Sequence, residues 1–196
     1  MDFTQGTKIK KNERASKMML WFGIVSLIMS FGGLTSAFIV SSTREDWLTN
    51  FQLPNSFFYS TLIIILSSVS LFAAKKALTK GSYLMTLLLL IVTYLFGISF
   101  IFIQFYGFNE IVDSGYNFTG PTSNITMSYV YIIAVFHILH VTAGLIVLSL
   151  VIIKHLKKVY NSKNILGFEL ASTFWHFVDI LWVYLFLFLY FFNKIN

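Results

Sequence analysis

Five stretches of roughly 20 or more residues, apolar and bounded by charged or polar breaks, constrain this chain more than any other feature of it. They run over about 18 to 40, 55 to 74, 82 to 105, 127 to 153 and 168 to 192. A bilayer core of about 30 Å takes roughly 20 residues of helix, and a helix satisfies its own backbone where water is absent. The first four stretches hold no Asp, Glu, Lys or Arg, and only the fifth contains acids. The expected fold is therefore all-α, a polytopic bundle of five transmembrane helices forming a single domain over residues 1–196. With 57% hydrophobic and only 11% charged residues, a water-soluble globule is excluded.

The basic residues set the expected orientation. Lys8, Lys10, Lys11, Arg14 and Lys17 precede the first span, Lys75, Lys76 and Lys80 follow the second, and Lys154, Lys157, Lys158 and Lys163 follow the fourth. All of these fall on one side, against Arg44 and Lys194 on the other. The positive-inside rule then gives a cytoplasmic N-terminus and an external C-terminus. The cations read as topology signals in contact with membrane lipid, so nucleic acid is not an expected partner despite a net charge of +6. The first span is longer than a signal-peptide core and lacks a small-residue cleavage site, so it reads as an uncleaved span. The triplets at Asn117 and Asn124 match a glycosylation acceptor, which has meaning only in a eukaryotic secretory compartment.

A charge near the bilayer centre costs about 2.5 to 3.5 kcal/mol on insertion scales, so ionisable residues inside the spans point into protein. They are His137 and His140 on span four, and Glu169, His176 and Asp179 on span five. At 100° per residue, His137, His140 and Gly144 lie within a stripe about 60° wide. Glu169, His176 and Asp179 share about 80°, flanked by Trp175 and Trp182. The short loop between the two spans makes them antiparallel neighbours, and Gly144 permits close approach. The 1.5 Å rise puts His176 roughly 12 Å deep, and Asp179 and His140 roughly 17 and 20 Å deep, so these last two form the expected cross-helix pair.

Three roles compete for this cluster. Ligation of a metal or haem needs imidazoles converging at one depth, yet His140 and His176 are offset by roughly 8 Å. The absence of cysteine also excludes thiolate zinc, iron–sulfur and binuclear thiolate copper sites. A proton path needs polar groups through the whole depth, and spans two and three offer only Ser67, Ser68, Thr93 and Gln104. A hydrogen-bonded network that fixes helix packing, or a contact with lipid headgroups or a partner, uses the same residues.

The segment Phe136-His137-Ile-Leu-His140-Val141-Thr-Ala-Gly144, then Gly167-Phe168-Glu169, then Phe174-Trp175-His176-Phe177-Val178-Asp179-Ile-Leu-Trp182, resembles subunit III of haem-copper terminal oxidases. Lys17, Trp21, Ser26 and Phe31-Gly32-Gly33 are similar to the start of the first helix shared by that family. Leu53-Pro54-Asn55 and Gln104 agree more loosely. The resemblance covers nearly the whole chain and is to the shorter, five-helix form. One position departs: family members commonly carry a membrane glutamate after the serine matching Ser26, and here Leu27 stands there.

The resemblance implies an accessory subunit with no catalytic centre, haem, copper or other metal of its own. Haem and copper are expected in the partners, the catalytic subunit I and subunit II. It implies a chain that braces the catalytic subunit, binds phospholipid, and keeps proton uptake working in a proton-pumping cytochrome c oxidase of a bacterial cytoplasmic membrane. Membership of a larger respiratory supercomplex is compatible with that role. Subunit III of a quinol oxidase is the first alternative and a stand-alone proton-coupled transporter the more remote one. His137, His140, Gly144, Glu169, Trp175, His176, Asp179 and Trp182 are the expected structural polar cluster or lipid contact.

Overall fold

A computed structural model describes residues 8–48, 53–118, 120, 123–160 and 165–195, with backbone alone for 8, 9 and 193–195. Five helices follow one another: α1 (Lys8–Ser41), α2 (Asn55–Thr79), α3 (Tyr83–Asp113), α4 (Ile125–Leu156) and α5 (Leu166–Ile195). All five are long and apolar enough to cross a membrane. Each is longer than its apolar stretch, because the residues added at the ends include no proline and simply prolong the helix. The Thr119 half of the first glycosylation triplet, and Lys163, lie outside the described residues.

The helix ends explain the short connections. α2, α3 and α4 each end in the same double bond pattern, as in Ser82 N–H to the carbonyl of Ala77 and Gly81 N–H to that of Leu78. The residue after the cap is left-handed: Gly81 at φ 77°, Gly115 at φ 92° and, at a steric cost, Lys158 at φ 55°. α4 starts on Asn124, whose side chain accepts from Thr126 N–H at 2.8 Å while its amide donates to the Asp46 carbonyl at 3.1 Å.

α2 packs against α3 and α5, α3 also against α4, and α4 also against α5. These four close a bundle, and α1 lies outside it against α4 and α5. Interhelical contacts fix the directions. Lys75, Ser68 and Thr61 of α2 meet Glu169, His176 and Trp182 of α5 in antiparallel register. Lys17 of α1 meets Glu169 at the start of α5, while Phe38 meets Phe188 and Phe192 near its end. The described basic side chains from Lys10 to Lys17, Lys75 to Lys80 and Lys154 to Lys158 therefore gather at one end, and Arg44 sits at the other.

The core is aromatic. Trp175, Trp182, Phe31, Phe38, Phe57, Phe100 and Phe168 are each at most 2% exposed. Lipid tails are as apolar as these side chains, so what holds helices together here is close packing and interhelical hydrogen bonding rather than removal of apolar surface from water.

Candidate functional site

Hydroxyls spaced along α2 organise the polar interior. Ser60, Thr61 and Ser67 each donate to a backbone carbonyl and keep a lone pair for a donor from another helix. Ser60 donates to the carbonyl of Phe57 at 2.9 Å and accepts from Gln104 Nε2 of α3 at 2.9 Å. Thr61 donates to the same carbonyl at 2.7 Å and accepts from the Trp182 indole at 3.0 Å. Ser67 accepts from the Trp175 indole at 2.9 Å. Towards the Arg44 end, Ser56 donates to Glu110 at 2.8 Å. Spans two and three are thus more polar inside than the sequence reading allowed.

Trp175 touches all three neighbours in the bundle. Its ring lies over Gly97 of α3 and Gly144 of α4: a Cβ at Gly97 would stand 2.7 Å from the ring, and one at Gly144 3.0 Å. Such distances are below ordinary contact, so the two glycines are the space into which the indole fits. Gly144 therefore has the expected role of close approach, whereas Gly97 was missed; a glycine inside an otherwise unbroken apolar helix was the available signal.

The two histidines of α4 part company. His137 is 0% exposed, with neither ring nitrogen hydrogen-bonded, in a box of Phe31, Phe100 and Trp182 with ring centroids 6.3, 5.7 and 4.9 Å away. His140 is half-buried; its Nδ1–H donates to the Phe136 carbonyl at 2.6 Å and its ring meets Phe31 of α1 at 5.6 Å. The expected Asp179–His140 pair is not made. Asp179 is on the α2 side of α5, beside Ser68 and His176, with both carboxylate oxygens buried. His176 Nδ1 and the Ser68 hydroxyl are hydrogen-bonded at 2.5 Å. Position on the helix wheel does not say which of two flanking helices a stripe faces.

At the basic end Glu169 lies between Lys17 and Lys75, with N–O distances of 3.7 and 3.6 Å, all three partly exposed. A carboxylate in the first turn of α5 also meets the positive end of the helix dipole. A further buried imidazole escaped the sequence reading: His155, in the last turn of α4, stacks on Tyr83 at 4.6 Å and donates from Nε2 to its carbonyl at 3.1 Å. Tyr83 opens α3, so this contact ties two helix ends together. Among the described residues, no three His, Asp or Glu side chains gather in a way that could hold a metal ion. The arrangement as a whole locks helix against helix and keeps the one acid of the α2–α5 contact buried.

The family model for cytochrome c oxidase subunit III matches residues 5–194. Among curated relatives, the cytochrome c oxidase subunit 3 of Spodoptera frugiperda is 33% identical over 144 residues, covering 71% of this chain and 89% of the relative. The cytochrome bo(3) ubiquinol oxidase subunit 3 of Buchnera aphidicola from Baizongia pistaciae is 29% identical over 197 residues, covering 96% and 97%. The cytochrome c oxidase subunit 3 of Bacillus sp. strain PS3 is 31% identical over 140 residues, covering 71% and 66%. With five membrane-length helices and a match that runs almost from end to end, this multi-pass membrane chain belongs to the cytochrome c oxidase subunit III family of the haem-copper oxidases.

Proposed function

We propose that the chain is the accessory subunit III of a proton-pumping cytochrome c oxidase in a bacterial cytoplasmic membrane, with its N-terminus cytoplasmic and its C-terminus external. Its partners are the catalytic subunit I, subunit II and membrane phospholipid. Haem and copper belong to the partners; this chain braces the catalytic subunit and sustains proton uptake without carrying electrons. His137, His140, Gly144, Glu169, Trp175, His176, Asp179 and Trp182 serve that brace as packing and contact residues.

The observation that carries the reading is the interior itself. Indole, hydroxyl and carboxamide groups from α2, α3 and α5 are spent on one another across the bundle, which makes a rigid body suited to bracing. The gathering of described cations at one end supports the orientation. Leu27, partly buried against the core, has no proton to exchange, so any support of proton uptake comes through the assembled surface and not through that position.

A quinol oxidase is the second reading, favoured by the Buchnera relative, whose match extends along nearly the full length of both chains. Purified complex fed with reduced cytochrome c or with a quinol separates the two. Oxygen consumption with cytochrome c and a slower loss of activity over repeated turnovers when this chain is present are expected. Oxidation of quinol alone would move the assignment to the second reading, and identical turnover life with and without the chain would remove the accessory role.

A further inference from the structure

We propose that the cavity walled by α1, α2 and α5 at the basic end of the bundle binds the phosphodiester headgroup of an anionic phospholipid. This rests on the reading of the chain as an oxidase subunit with phospholipid among its partners, and names one place and one chemistry for that contact.

The cavity has a volume of about 240 Å³, and its lining includes Lys17, Leu20 and Trp21 of α1, Lys75 of α2, and Glu169 and Thr173 of α5. Three helices thus bring polar side chains to one small space. Two ammonium groups share a single carboxylate there, so the site keeps a surplus of one positive charge. The Lys17–Glu169 and Lys75–Glu169 separations of 3.7 and 3.6 Å are longer than a hydrogen bond, which leaves ammonium protons for a second acceptor. Both ammonium groups are open to a ligand, with the Lys17 and Lys75 side chains 55% and 38% exposed. Thr173, also exposed, adds a hydroxyl, and Trp21, 60% exposed, adds an indole.

Depth and charge select the occupant. Lys17 directly precedes the first apolar stretch, Lys75 directly follows the second, and Glu169 is at the start of the fifth. All three stand where hydrocarbon gives way to headgroups, the level at which an interfacial tryptophan also sits. A phosphodiester brings one negative charge, which offsets the surplus, and oxygens that accept from both ammonium groups and from Thr173. An alcohol headgroup such as glycerol further gives Glu169 a hydroxyl donor. A choline headgroup carries its own cation and leaves the surplus in place. Inorganic phosphate offers the same oxygens but nothing for Leu20 and the Trp21 ring to pack on.

The full chain in a neutral detergent, titrated with phosphatidylglycerol brominated in its acyl chains, tests the site through quenching of the fluorescence that Trp21→Phe removes. Brominated phosphatidylglycerol should bind about fivefold more tightly than brominated phosphatidylcholine, and Lys17→Gln or Lys75→Gln should each weaken it about fivefold, the worth of one cation at a headgroup surface. Lys76→Gln, exposed and outside the cavity, should leave the affinity unchanged. Glu169→Gln should tighten binding, because it enlarges the surplus of positive charge; an ion triad that only ties helices together predicts no gain. Equal affinity for the two lipids, or affinity for phosphatidylglycerol that survives both lysine replacements, would overturn the site. Displacement of the lipid by inorganic phosphate, where chloride of equal ionic strength has no effect, would assign the site to a soluble phosphate and overturn the lipid. Each of these outcomes leaves the subunit assignment standing, since that is decided separately by which oxidase subunits copurify with the chain.

Discussion

The indole Nε1–H of Trp175 donates to the Ser67 hydroxyl across 2.9 Å, and it does so from a ring fitted over glycines on two other helices. One side chain of α5 therefore sets its distance to α2, α3 and α4 together. Replacing Ser67 by Ala, which leaves the indole in place, should remove the hydrogen bond and cost about 0.6 to 1.7 kcal/mol, whereas Trp175→Ala should open a cavity and cost about 3 to 5 kcal/mol. Unfolding of the detergent-solubilised chain on addition of a denaturing detergent reads both values.

Gly97 makes the reciprocal case. Gly97→Ala places a methyl against the indole and should destabilise by about 1 to 3 kcal/mol, while Gly23→Ala, where nothing lies within 4 Å of the added carbon, should be neutral. The Gly97 penalty should shrink when Trp175 is also Phe or Leu. A double-mutant cycle with no coupling between positions 97 and 175 would show that the contact does not set the spacing.

The ion triad at the basic end should matter little to stability. Lys17, Lys75 and Glu169 are 55%, 38% and 31% exposed at their side chains, so Glu169→Gln should cost less than about 1 kcal/mol. The difference from the parent should vanish as salt is raised, and melting curves at low and high ionic strength check it.

Tyr160, between α4 and α5, is buried near Phe168, and burial raises its phenol above the usual value. The folded chain favours the neutral phenol, so this contribution is intact below the unfolded value of about 10 and is lost as the pH rises through the folded one. Tyr160→Phe should lessen the alkaline loss of stability, measured as the difference between variant and parent across that window.

Much of this was readable beforehand, for reasons of unequal strength. Long apolar runs between charges gave five helices because nothing else buries backbone in hydrocarbon. The short loop and Gly144 pointed to a close approach of α4 and α5, and the Trp175 ring against Gly144 is that contact. The hydroxyls of α2 were illegible because a serine in a helix commonly bonds to its own preceding turn; Ser60 and Thr61 do that and also accept from another helix. The direction of Asp179 was illegible because α5 has close neighbours on both sides, and periodicity within one helix does not rank them.

The central claim, a subunit that carries no electrons within a haem-copper oxidase, is tested most directly by purifying this chain from native membranes in mild detergent, identifying what accompanies it, and recording reduced-minus-oxidised spectra before and after it is separated from its partners. The account expects a large haem-copper subunit and a second subunit in the preparation, with the haem absorbance following them and leaving this chain. A chain that emerges alone, or one that keeps a haem absorbance after separation, would contradict it.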